Sequence, residues 1–150
     1  MEFTPAKLNI FLLVKLPSAF ISGVRVRQIS TEKCTVTVKH RWINQNPFNS
    51  MYFAVQAMAA ELTTGALVMY HIKNSGKKIS MLVANNKSTF TKKARGRITF
   101  TCTEGNLIAD AITRAVATGE GQTFWMRSVG VDEHGDQVSV LEFEWSVKAK

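Results

Sequence analysis

Residues 46–70 read NPFNSMYFAVQAMAAELTTGALVMY, and this stretch decides the fold. Asn46 suits a helix N-cap, and Pro47 suits the first helical position, where a missing N–H costs nothing. Ala54, Ala57, Ala59 and Ala60 favour helix and let neighbouring strands approach closely. Met51, Phe53, Val55, Met58, Leu62, Leu67, Val68 and Met69 go most of the way round instead of forming one stripe. A helix that is apolar all round is buried. The reading is one long buried helix, on the order of 37 Å at about 1.5 Å per residue. Between Trp42 and Ile72 the only formally charged side chain is Glu61. A carboxylate in such a setting is paired, protonated or functional, because burying it alone is costly. The bland alternative is a Glu whose turn of helix reaches solvent, or a lysine supplied from elsewhere.

On the N-terminal side, residues 23–29 and 34–40 each alternate with period two. Residues 30–33 form the turn between them, so the pair reads as a hairpin with one wet face. Before it, Thr4-Pro5 repeats the cap-and-proline signal. Leu8, Phe11, Leu12 and Leu16 follow at helical spacing, and Pro17-Ser18 ends that short helix. Lys7 and Lys15 would suit a membrane-surface helix, but packing on the domain is the commoner fate. On the C-terminal side, Asn74-Ser75-Gly76 stops the long helix in the manner of a glycine cap. Residues 79–84 read as an apolar strand and 85–88 as a turn. The densest basic run, 92–97, leads into a strand over 98–103. A short helix is expected over 107–117. Two last strands, 122–131 and 137–147, are joined by a hairpin loop over 132–136.

Strands this many can cover that helix only by curling round it. The expectation is one α+β domain over 1–150, with an antiparallel sheet wrapped around a long central helix and residues 1–20 as a helical extension. The 45% apolar content is ordinary for a globular protein. The net charge of +8 favours acidic partners, against the plainer reading of solubility. Cys34 and Cys102 form no CxxC and read as free core thiols of a reducing, cytoplasmic compartment. The N-terminus does not read as a secretory leader, and no segment is apolar enough to span a membrane. His40, His71 and His134 share no metal-like spacing, so no metal is assigned. Trp42, Trp125 and Trp145 read as packing residues. The lysines and arginines do not interleave with aromatics, which argues against a nucleic-acid binder.

A buried helix after a hairpin, followed by a run of antiparallel strands, resembles the hotdog fold. The helix entry resembles that of hotdog acyl-CoA thioesterases, and residues 46–65 resemble the DUF4442 family, with an Asn before the helix and an acid on it. The resemblance runs from about residue 23 to 147. It implies hydrolysis of an acyl-CoA or acyl-carrier-protein thioester, with Glu61 at the position of the acid and coenzyme A present only as part of the substrate. Where the thioesterases carry His-Gly-Gly, this chain has Asn49-Ser50-Met51-Tyr52-Phe53. A backbone oxyanion hole needs only N–H groups, yet without glycine the carbonyl has less room.

Thioester hydrolysis needs a polarised carbonyl, an attacking water or carboxylate, and an apolar slot. Helix-start N–H groups near Met51 and Tyr52, with Asn46 beside them, are candidates for the first. Glu61 is the candidate base or nucleophile. Thr64 could hold the water, although a hydroxyl bonded back to its own helix is commoner. Phe48, Met51, Met58 and Leu62 would line the slot. Lys92, Lys93, Arg95 and Arg97 would suit coenzyme A phosphates or form a solvated strand end. Tyr52 and Glu61 stand about 13 Å apart along one helix, so the site requires a homodimer or a dimer of dimers. The alternative is a non-catalytic hotdog module that binds an acyl ligand or a protein partner, which the missing His-Gly-Gly favours.

Overall fold

The computed structural model describes residues 2–150. Two helices come first, α1 (Pro5–Lys15) and α2 (Pro17–Ile21), then the hairpin β1 (Arg25–Ile29) and β2 (Cys34–Lys39). A short 3-10 turn, Trp42–Asn44, precedes the long helix α3 (Phe53–Ser75). After it come β3 (Ile79–Phe90), β4 (Arg97–Cys102), α4 (Gly105–Thr118), β5 (Gln122–Val131) and β6 (Gln137–Ala149). The six strands form one sheet in the order β1-β2-β4-β5-β6-β3, and every neighbouring pair is antiparallel. α3 packs against β1, β2, β4, β5 and β6, and α4 joins it over β5 and β6. This is the hotdog fold.

The central helix is buried over most of its length because its sequence offers no wet stripe. Ala59, Ala60, Ala66, Leu67 and Val68 are essentially inaccessible. Opposite them, alternate strand residues such as Val36, Ile98, Phe100, Met126 and Leu141 fill the core. Gly76 ends the helix at φ 66°, a left-handed position that glycine adopts without the penalty a Cβ would bring.

Three features depart from the sequence reading. The helix begins at Phe53, not at Pro47, and Tyr52 is its N-cap residue. Asn46 is not a helix cap. Its Oδ1 accepts from the backbone N–H groups of Phe48 (2.9 Å) and Ser50 (3.2 Å), which closes a tight loop. Asn49 lies in that loop at φ 56°, incompatible with a right-handed helix. Second, residues 85–88 are no turn: β3 runs on to Phe90, with an irregularity between Val83 and Asn85. Its ladder with β6 satisfies the backbone of a stretch whose own preference is for turns. Third, Pro17 both ends α1 and opens α2, since a proline at the first helical position costs no hydrogen bond.

The sheet has two edges of unlike character. At β1, the Asn9 side chain of α1 donates to the Val26 carbonyl (3.1 Å) and accepts from its N–H (2.8 Å), so the edge is closed by a helix. At the other end of the sheet, β3 pairs with no further strand among the described residues, and it is exposed from Asn85 to Phe90. A long open edge is a template for pairing with another chain. Cys34 and Cys102 face each other across β2 and β4 as free, buried thiols. Burial pushes both pKa values up to about 12, which leaves them unreactive.

Candidate active site

The 46–50 loop and the segment after β3 enclose a pocket of about 500 Å³ at the start of α3. Asn46 builds its wall. Besides its two accepted bonds, its Nδ2 donates to Ser50 Oγ (3.0 Å) and to the Met51 carbonyl (3.3 Å). Arg95 Nε holds the same loop through the Asn49 carbonyl at 2.9 Å. Phe48, Met51, Tyr52, Phe53 and Phe90 make the apolar surface. We expect Asn46→Ala to lower the melting temperature by roughly 2–8 °C, since two or more hydrogen bonds worth about 1–2 kcal/mol together are lost. A thermal melt checks this; an unchanged melt would deny the loop its organising role.

The predicted donors shift along the chain. The Met51 N–H is spent on the Ala94 carbonyl (2.8 Å), and the Tyr52 N–H on the Asn44 carbonyl (2.8 Å). A carbonyl in the pocket therefore cannot use them. Intrahelical bonding starts with the N–H of Val55, which reaches the Tyr52 carbonyl at 3.0 Å. The N–H groups of Phe53 and Ala54 precede it, and as the first two of a helix they have no partner within it. The helix dipole adds partial positive charge there.

Gln56 is a pocket residue that sequence reasoning missed. It is buried, lines the pocket, and its Oε1 accepts from Ser139 Oγ at 2.8 Å. Its position one turn inside the helix start was the available signal.

Glu61 and Thr64 lie further along α3, outside the pocket lining. Thr64 is fully buried. Its hydroxyl donates to the Glu61 carbonyl (2.8 Å) and accepts from Trp145 Nε1 (2.9 Å). Its proton is committed to its own helix, so it is not placed to hold a water. Glu61 is only partly accessible. Its Oε1 lies beside Gly65 and the Trp145 ring, where a Cβ added at Gly65 would come within 3.2 Å of that oxygen and 3.1 Å of the indole. None of the ion pairs among the described residues involves Glu61. Burial pushes its carboxyl up from the ordinary 4.5 to about 7. Of the other slot residues, Leu62 is a core residue and Met58 packs against the core; neither lines the pocket.

The basic run is dispersed. Lys92 Nζ sits 2.7 Å from both Asp132 and Asp136, so its charge is answered within the chain. Lys93 lines the pocket and reaches the Phe48 carbonyl at 3.5 Å. Arg95 holds the loop, and Arg97 turns into a different cleft.

The comparisons agree with this architecture. The chain belongs to the DUF4442 family, described as a domain of unknown function, whose model matches residues 7–147. A Pseudomonas aeruginosa protein of unknown function, described as a probable thioesterase, superposes with a TM-score of 0.81 at 20% identity. That match covers 98% of this chain and 97% of the other. A protein of unknown function from Chlorobaculum tepidum gives 0.84 at 12% identity, over 97% and 94% of the two chains. A thioesterase from Haemophilus influenzae gives 0.73 at 13% identity, over 99% and 93%. At such identities the likeness is one of fold. A comparison with curated proteins found no match.

Proposed function

We propose that this chain is a thioesterase that hydrolyses acyl-CoA or acyl-carrier thioesters at a site completed by a second copy. The observation that carries the proposal is Glu61: a half-buried carboxyl beside an indole, in none of the ion pairs among the described residues and with a pKa of about 7. A general base works best with its pKa near the operating pH. In the proposed step a water attacks the thioester carbonyl while Glu61 takes its proton. The oxygen that gains charge is held by the Phe53 and Ala54 N–H groups of the other copy. The tetrahedral intermediate then expels the thiolate, which takes the proton back from Glu61, and the carboxylic acid is released. The acyl chain lies against Phe48, Met51 and Phe90, and Lys93, a pocket-lining cation in none of the ion pairs among the described residues, meets coenzyme A phosphates.

The open β3 edge supports the two-copy arrangement. Val83 lies opposite Trp145, the neighbour of Glu61, while Phe90 lines the pocket. An antiparallel pairing of two β3 strands centred between Asn86 and Lys87 sets Val83 of one copy opposite Phe90 of the partner subunit. Each Glu61 then approaches the other copy's pocket. We expect light scattering at micromolar concentration to give a dimer or a dimer of dimers. A monomer would end the split-site mechanism, because the helix start and Glu61 cannot meet within one chain.

A panel of acyl-CoA thioesters assayed for free thiol tests turnover directly. Release with at least one chain length is expected. Saturable binding without release across the panel would favour the second reading, a non-hydrolytic acyl-binding module. Bulky Tyr52 and Phe53 at the helix start, in place of glycine, are the observation on that side.

A further inference from the structure

A second cleft, of about 220 Å³, opens where Arg25 and Arg27 of β1 meet Thr37, Val38 and Lys39 of β2. It shares no lining residue with the pocket at the start of α3. Five cationic side chains line it: Arg25, Arg27, Lys39, Arg41 and Arg97. Among the described residues, no carboxylate lines it. The chain holds 11 acidic residues, yet the ion pairs among the described residues use Lys7, Lys87 and Lys92. The nearby Glu133 is committed to a backbone group, accepting from the Arg97 N–H at 2.6 Å.

The arginines are positioned without being neutralised. Arg25 Nη1 donates to the carbonyls of Phe20 (2.7 Å) and Val24 (2.8 Å), and its guanidinium lies 3.6 Å over the Phe20 ring. Arg27 Nε donates to Thr37 Oγ1 at 2.8 Å. Arg41 packs where a side chain at residue 23 would be: a Cβ on Gly23 would stand 2.7 Å from its Nη2. All these partners are neutral, so they fix geometry and leave the charge. Lys39 lies directly opposite Arg97 across β2 and β4, and like charges in that relation repel. Desolvation, with Arg41 and Arg27 close by, lowers the pKa of Arg25. A solvated basic face would spread its charges apart and leave them mobile. Here five line one cleft, and although all but Arg25 are exposed, Arg25 and Arg27 are held by hydrogen bonds.

We infer that this cleft is an anion site for a phosphate-bearing group, in the first instance a diphosphate. Guanidinium forks match phosphate oxygens in pairs, and several converging on one group exceed what a monovalent anion can answer. The volume lies below the roughly 300–1,000 Å³ of pockets that take a whole small ligand. The site therefore holds the anionic end of a larger molecule, whose remainder lies outside. The inference stands apart from thioester hydrolysis, since it concerns other residues and is read by binding, with no turnover.

Isothermal titration of inorganic diphosphate into the full chain tests it. The wild type is expected to bind one equivalent per chain. Arg27→Gln with Arg97→Gln should weaken binding about tenfold or more, as charge-assisted hydrogen bonds are lost. Lys77→Gln with Lys78→Gln removes the same charge just before β3 and should leave affinity unchanged. Arg97→Gln alone is the safer variant for folding, because the bond of Arg97 to Glu133 runs through its backbone N–H, which the substitution keeps. No binding by the wild type, or equal weakening by both double variants, overturns the inference. Competition then names the source. Displacement of diphosphate by ADP points to a soluble nucleotide. Displacement by vesicles of equal parts phosphatidylcholine and phosphatidylglycerol, but not by phosphatidylcholine alone, points to a lipid headgroup. Displacement by neither assigns the cleft to a free anion.

Discussion

Glu61→Gln is expected to cut thiol release from an acyl-coenzyme A substrate by roughly two to four orders of magnitude, the usual worth of a positioned base. The change keeps size and most hydrogen-bonding capacity and removes only the group that can take a proton. The loss should fall on kcat, with KM little changed, because Glu61 lies outside the pocket lining and makes no part of the acyl slot. The pH–rate profile of the wild type should rise with deprotonation of a group near 7, the value to which burial pushes this carboxyl. A variant with wild-type turnover would remove Glu61 from the chemistry and leave the binding-module reading.

The same substitution should stabilise the fold, and only above a certain pH. Glu61 titrates at about 7 in the folded chain against an ordinary 4.5. Below 4.5 the carboxyl is neutral in both states and the substitution changes little. Between 4.5 and 7 the unfolded chain loses the proton while the folded chain keeps it, so wild-type stability falls as pH rises. Above 7 the full penalty is present, about 3 kcal/mol at 1.36 kcal/mol per unit. Glu61→Gln escapes it. At pH 8 the variant should melt roughly 6–12 °C above the wild type, and at pH 4 the two should nearly coincide. A structural ion pair predicts the opposite sign, because the glutamine would strand a cation at a cost of about 3–5 kcal/mol. Paired melts at the two pH values decide between them.

Where the hydrophobic pattern alone sets the outcome, the chain could be read directly. The all-round apolar run from Val55 to Met69 must be buried, and the strands that follow must curl to bury it. Alternation in β1 and β2 marks their inward faces, so an antiparallel sheet wrapped round a central helix and most of its elements were legible, while the hotdog fold itself came from resemblance. Glu61 was legible too, as the single charge in an uncharged stretch. Where local preference competes with tertiary partners, the reading failed. Asn46-Pro47 carries a helix-start signal, but the Asn46 side chain finds the N–H groups of Phe48 and Ser50, and the helix waits until Phe53. Asn85-Asn86 carries a turn signal, but β6 supplies a full ladder and the strand runs on. The site suffers most from this. Which N–H groups remain free at the start of α3 depends on Asn44 and Ala94, distant carbonyls that take those of Tyr52 and Met51. The fate of the basic run depends on Asp132 and Asp136, which claim Lys92, and on the pairing of β4 with β2, which places Arg97 in another cleft. Sequence determined what this chain buries, because burial follows from composition and period. Only the tertiary structure decided which polar groups stay unpaired, because each partner comes from a part of the chain that periodicity cannot place.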